Sequence, residues 1–180
     1  GLLQHLVDTV LSTYIVTTLS LMGAVGIFAL LFGVTTAWIV SRYEFFGKNA
    51  LEWMLVLPAA IPAYIIAYCY TDFFEYAGPL QTGLRSFFGW QDSHDYWFPE
   101  IRSFWGAAVM MASVLYPYIY LLARTAFRQT SRDLFEMTAL SGRNMFIYAA
   151  LPLARPAIAA GLSLVLMEVV SDFGTVEYFA

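Results

Sequence analysis

The sequence predicts an all-α protein, a polytopic membrane helix bundle. Three observations carry that: the composition is too apolar for a water-covered surface, four long apolar segments recur along the chain, and cationic residues collect between alternate segments. Of the 180 residues, 60% are hydrophobic and 12% charged, with a mean hydropathy of +0.66. An ordinary soluble domain carries about 25% charged residues. With 15 Phe, 12 Tyr and 5 Trp as well, the composition excludes a soluble enzyme and a disordered tail. The net charge of −4, from 9 Lys+Arg against 13 Asp+Glu, provides no positive field for phosphate backbones, so nucleic acid is excluded as a partner. A single cysteine, Cys69, cannot form an internal disulfide or a cysteine metal cluster.

A span needs roughly 20 apolar residues to cross about 30 Å of hydrocarbon. The first qualifying segment, about 14–40, contains no charge. The second, about 55–71, is short but uncharged, and residues 49–54 could extend it at headgroup level. The third is about 103–123, and the fourth, about 151–170, carries Glu168 inside it. Helices are required because lipid offers no partners to backbone N–H and C=O groups. Runs such as Met54-Leu55-Val56-Leu57 do not alternate as β-barrel strands do. Pro58 and Pro62 in the second segment and Pro117 in the third predict kinks. Gly23, Gly26 and Gly33 would let the first helix pack closely against a neighbour. Ala77-Gly78-Pro79 followed by residues 81–88 predicts a turn and a short amphipathic helix on the surface.

Charge sets the orientation. Arg42, Lys48, Arg124, Arg128, Arg132, Arg143 and Arg155 fall in 41–50 and 124–155, whereas 72–102 holds only Arg85 and Arg102 beside Asp72, Glu75, Asp92, Asp95 and Glu100. The positive-inside rule places 41–50 and 124–150 in the cytoplasm and the acidic segment outside. Four crossings then put residue 1 outside and the chain end near Asp172 outside, in a multi-pass protein of the cell (inner or plasma) membrane. The chain begins at Gly1 without a basic n-region and stops at Ala180 after an aromatic run. It reads as a piece of a longer protein, without a signal peptide and with its carboxy-terminal continuation missing.

The segment between the third and fourth spans, about 124–150, is long for a simple connection. Ser131 can cap a helix in which Leu134, Phe135 and Thr138 share one side, and Gly142 ends it. Arg143-Asn144 then begins another turn leading to Leu151-Pro152. A short helix, a bend and a second helix form either a docking knob for a soluble partner or an interfacial pair packed on lipid headgroups.

At this point the sequence resembles a family. Glu136-Met137-Thr138-Ala139-Leu140-Ser141-Gly142 followed by Leu151-Pro152 is similar to the Glu-Ala-Ala loop of ABC importer permeases. Leu57-Pro58 through Tyr64, Gly78 to Thr82, Leu151 to Gly161, Met167-Glu168 and Ser171 to Val176 resemble the iron(III)-type subfamily, whose members commonly fuse two permease halves. The likeness runs from about Leu2 to Ala180. Met137 and Thr138 stand where the family has two alanines. Nine residues separate Gly142 from Pro152 where the family usually has about a dozen, a deficit of nearly one turn of the second helix.

The resemblance implies one transmembrane permease domain with an ABC importer permease-like core. Glu136, Met137, Thr138, Ala139, Gly142 and Pro152 would form the loop that seats on cytoplasmic ATP-binding subunits. It further implies an external substrate-binding protein, a second permease half (fused or separate), and ferric iron as cargo, although related permeases carry thiamine, polyamines or phosphonates. ATP would be bound by the partner and no cofactor by this chain. In agreement, the sequence has no phosphate-binding Gly-x-x-x-x-Gly-Lys-Ser/Thr; Gly47-Lys48-Asn49 lacks the first glycine and the hydroxyl.

An ionisable residue within a span costs at least about 2.5 kcal/mol and faces a cavity or a partner. Glu168, with Asp172 four residues on, forms either an acidic stripe along a translocation pathway, or a hydrogen bond to a neighbouring helix and a cap at the Phe173-Gly174 turn. His5 and His94 lack metal-ligand spacing, and no metal site follows. Two rivals remain. An intramembrane enzyme would need a base beside Ser163 or Ser171, and no span contains a His. A secondary transporter or channel would use intramembrane charge without an ATPase.

Overall fold

The computed structural model describes residues 12–171; the predicted roles of Asp172, the Phe173-Gly174 turn and His5 lie outside them. The described chain is helical, without strands among the described residues. It comprises α1 (Ser12–Arg42), α2 (Lys48–Met54), a 3-10 turn (Leu57–Ala60), α3 (Ala63–Phe74), α4 (Pro79–Phe88), α5 (Phe104–Gln129), α6 (Arg132–Leu140), a π turn (Phe146–Ala150) and α7 (Leu151–Ser171).

Three helices, Ser12–Arg42, Phe104–Gln129 and Phe146–Ser171, are long and apolar enough to cross a membrane. The central one, α5, packs against both α1 and α7. Val25 and Ala29 of α1, Ala108, Ala112 and Ile119 of α5, and Val165 of α7 are wholly buried at their junction. The closest approach is at Ile119. A Cβ built on Gly33 would lie 2.8 Å from the Ile119 Cβ, and one on Gly161 2.8 Å from its Cα. Two glycines therefore let α1 and α7 close on the same turn of α5. Gly23, predicted to serve likewise, has nothing within 4 Å. The long helix continues through Pro117 as one element.

The predicted second span is not one helix. Lys48–Ala60 and Ala63–Phe88 meet at 109°. Proline chemistry explains the break: Pro62 bars the α conformation from the residue before it, and Ile61 is extended at φ −118°, ψ 140°. Pro58, early in the 3-10 turn, restricts the chain one step earlier. On one side of the break, Glu52 of α2 pairs with Arg124 and, at 2.6 Å, with Arg128, bracing α2 against the basic end of α5. The Tyr116 hydroxyl donates to the Leu55 carbonyl at 2.8 Å. On the other side, α3 runs to the acidic end, where α4 forms at the predicted place.

The connection between the third and fourth spans is shorter than predicted. α5 extends to Gln129 and helix resumes at Phe146, so the last helix begins earlier than the Gly142–Pro152 spacing suggested. A π turn over 146–150, in which the Leu151 N–H reaches back to the Phe146 carbonyl, precedes Pro152. A proline there has no N–H to continue the ordinary ladder, and the wider turn absorbs the defect.

Candidate functional site

The first candidate is the elbow formed by α6 and the start of the last helix. Ser131 Oγ accepts from the Leu134 N–H at 3.4 Å, and Asp133 lies in the first turn, where a carboxylate suits the helix dipole. The other end is closed by a left-handed Gly142, φ +70°. Its N–H donates to the Ala139 carbonyl at 3.0 Å and the Arg143 N–H to the Thr138 carbonyl at 3.2 Å, the paired bonds of a Schellman cap. Two residues later Asn144 Oδ1 accepts from the N–H groups of Phe146 (2.9 Å) and Ile147 (3.2 Å). One helix is thus capped and the next started within the bend 141–145.

The elbow is fastened to the bundle by aromatic rings. Trp38 of α1 stands 5.0 Å from Phe146, 5.4 Å from Phe127 of α5 and 6.1 Å from Phe135 of α6, centroid to centroid. The Arg42 guanidinium lies 5.4 Å over the Phe135 ring, within cation–π range. Leu134, Phe135 and Thr138 are half-buried, while Glu136, Met137 and Ala139 point out. Leu140 is 88% and Met137 69% exposed. Beside them a groove of about 380 Å³ is lined by Arg42, Arg132, Phe135, Glu136, Ala139 and Met145. Pro152 lies beyond the bend, in the first turn of α7, apart from this exposed face. The sequence pattern did not single out Trp38 or Arg42; their role becomes visible only when α1 is placed beside α6.

The second candidate lies inside the bundle. A cavity of about 260 Å³ is lined by residues 58–63 at the break, by Val114, Leu115 and Tyr118, and by Glu168 of α7. Val114 to Tyr118 are near the midpoint of α5 (Phe104–Gln129), and Glu168 stands in the last described turn of α7 (Leu151–Ser171). Of the two readings of Glu168, the hydrogen bond to a neighbouring helix is not seen among the described residues, where neither Glu168 nor the Tyr118 hydroxyl has a hydrogen-bond or ionic partner. Ser163 and Ser171 donate to the carbonyls of Ala159 and Met167, each at 2.9 Å.

At the acidic end, Arg85 donates to the Tyr96 hydroxyl (2.9 Å) and the Tyr76 carbonyl (2.8 Å), and its guanidinium lies 4.1 Å over the Tyr76 ring. Arg102 pairs with Glu75. Asp95 accepts from the N–H groups of Gln91 and Asp92, and the Gln91 bond, then the Asp92 bond, holds its carboxyl below the usual carboxylate range. Asp92 and Asp95 are therefore turn-forming residues.

A broken apolar segment beside a cavity is an arrangement that membrane transport proteins use. A model of the family described as binding-protein-dependent transport system inner membrane component matches residues 29–180, and the chain belongs to that family. It is an inner-membrane permease component with several apolar spanning helices. The chain is 28% identical over 171 residues to YvgM of Bacillus subtilis (strain 168), a permease protein named for molybdenum transport, covering 93% of this chain and 72% of that protein. It is 27% identical over 163 residues to the Fe(3+)-transport system permease protein FbpB 2 of Haemophilus influenzae, covering 89% of this chain and 28% of the relative. With the sulfate transport system permease protein CysT of Escherichia coli (strain K12) it shares 28% identity over 176 residues, 95% of this chain and 59% of the relative. It thus spans less than two thirds of the length of the last two.

Proposed function

We propose that this chain is part of the membrane-spanning permease of an ATP-driven importer, and that the α6 elbow is the surface through which a cytoplasmic ATP-hydrolysing subunit moves it. The observation carrying this reading is the elbow itself: a doubly capped bend, exposing Met137 and Leu140 and tied by Trp38, Phe127 and Phe146 to the two helices that must move. Exposed apolar side chains on a rigid, polar-rimmed knob suit a protein partner better than headgroups. Glu136 and Gly142 set its chemistry and shape, Thr138 and Ala139 keep its surface slim, and Pro152 fixes the start of α7. ATP is bound by that partner, and this chain needs no cofactor.

A second permease half, fused or separate, pairs with this one, and an external binding protein delivers the cargo to the acidic side. The cargo is ferric iron, in keeping with the relative named for Fe(3+); relatives named for molybdenum and sulfate define the alternatives. Glu168, which lines the cavity, belongs to the route, and Asp172 is assigned to it from the sequence alone. Orientation follows the arginines, with 41–50 and 124–150 in the cytoplasm.

The test is reconstitution of the full-length protein with candidate ATPase subunits and binding protein. Transport-coupled ATP hydrolysis that falls roughly ten-fold when Glu136 and Gly142 are both replaced by alanine supports the reading; a ten-fold loss of rate corresponds to about 1.4 kcal/mol of barrier. Uptake that persists with no ATPase present would establish a secondary transporter or channel instead.

A further inference from the structure

The arginines at the basic end are not all engaged in the same way. Glu52 takes up Arg124 and Arg128, whereas among the described residues neither Arg42 nor Arg132 has a carboxylate partner. Both line the groove of about 380 Å³ between the end of α1 and α6, together with Phe135, Glu136, Ala139 and Met145. Two of those residues locate the Arg42 side chain. Its guanidinium lies 5.4 Å over the Phe135 ring, and its Nη2 stands 3.9 Å from the Met145 sulfur. Neither a ring face nor a thioether is a strong acceptor, so the N–H donors of this guanidinium are largely unspent.

We infer that this groove holds the phosphate of an anionic phospholipid, drawn from the leaflet on the arginine side, with Arg42 and Arg132 as its ligands. The inference goes beyond the importer reading and stands on membrane residence alone. Charge selects the ligand class. Two guanidiniums against the one carboxylate of Glu136 leave the groove net positive, and arginine matches phosphate through paired N–H bonds. Depth selects the source. The groove opens where the first long apolar helix ends at Arg42. Immediately beyond it Tyr43, Phe45 and Phe46 are exposed, and aromatic rings collect at headgroup level. Basic pockets between helices at that level take up anionic headgroups. The lining agrees as well: Phe135, Ala139 and Met145 offer apolar surface to the glycerol and the first acyl carbons, and the volume falls in the range of small-molecule sites.

The groove and the knob are different faces of α6. Arg132, Phe135, Glu136 and Ala139 recur at i, i+3, i+4 and i+7, on one side of the helix. Met137 and Leu140, the exposed pair offered to the ATPase, lie on another. A lipid in the groove is therefore compatible with a protein on the knob. Bridging Arg42 of α1 and Arg132 of α6, its phosphate ties the elbow to the first span.

The test is binding to the full-length protein, delipidated in detergent micelles, with fluorescent phosphatidylglycerol as the probe and phosphatidylcholine as the neutral comparison. Phosphatidylglycerol is expected to bind roughly ten-fold more tightly, and its Kd to rise roughly five-fold in Arg42→Gln and as much again when Arg132→Gln is added. Arg143→Gln with Arg155→Gln removes the same charge from the same end outside the groove, and is expected to leave Kd within about two-fold. Equal affinity for the two lipids overturns the inference, and so do equal losses in the two double variants. Inorganic phosphate that displaces the lipid at equal concentration overturns it in favour of a free anion. Release of the lipid when the ATPase subunit binds overturns it in favour of an acidic side chain of that partner. Should Arg42→Gln fail to fold, Arg42→Lys keeps the charge and loses the planar fork; an intermediate Kd upholds the site, and an unchanged Kd there and in Arg132→Gln ends it.

Discussion

Gly142 holds φ +70° at the elbow and nothing approaches its Cα side within 4 Å. A side chain there would meet no clash, only an unfavourable backbone conformation. Gly142→Ala is therefore expected to lower stability by about 1–2 kcal/mol, read as a drop in the melting temperature of the solubilised protein, with no change in the packing of the spans. Tyr120 presents the opposite case. It is wholly buried, its hydroxyl has no hydrogen-bond partner among the described residues, and the Arg124 guanidinium lies 6.0 Å over its ring. Removing an unsatisfied buried hydroxyl costs little. Tyr120→Phe is expected to be neutral or to stabilise by up to about 1 kcal/mol in the same melt, and a clear loss would mean that the hydroxyl is in use.

Among the elements, the crossing at Ile119 and the broken second segment define the architecture. At the crossing, glycine is a steric requirement. Gly161→Ala would place a methyl 2.8 Å from the Ile119 Cα and 3.2 Å from its backbone nitrogen. Backbone cannot retreat as a side-chain tip can, so a loss of about 1–3 kcal/mol is expected. Gly23→Ala, with nothing within 4 Å, should gain some tenths of a kcal/mol from helix propensity. Equal effects of the two substitutions would refute the account of the crossing. Along the second segment, prolines at 58 and 62 were legible as kinks, but composition could not distinguish a bent helix from a chain that turns by 109°. The distinction lies in Ile61, driven to extended geometry by the proline after it, and in Glu52, which ties α2 sideways onto Arg124 and Arg128.

For the molecule as a whole, the elbow and the cavity are joined through α5 and α7, which run from one to the other. In the proposed reading, a push on α6 would pass through the Trp38, Phe127 and Phe146 rings to the helices that meet where Gly33 and Gly161 approach Ile119. Rigid helices about a tight crossing rock as bodies rather than bend. Orientation is testable on this scale. With Cys69, which is exposed, first changed to Ser, Leu140→Cys should react with a membrane-impermeant maleimide in inverted vesicles only. Labelling from outside intact cells would place the elbow on the wrong face for an ATPase.

Hydropathy and charge are sums over residues, so the sequence by itself determined the class of protein, the presence of three long apolar helices, the basic and acidic segments, and the capped helix after Ser131. Each rests on local chemistry: lipid demands apolar length, and Ser131 and Gly142 act on their own turns. Tertiary structure decided what depends on neighbours distant in sequence. It brought Trp38 to Phe135, set Glu168 beside a break more than a hundred residues away, gave that carboxylate no helix partner among the described residues, and showed which glycines touch another helix. Contact between remote segments follows from packing in three dimensions, and no window along the chain contains it.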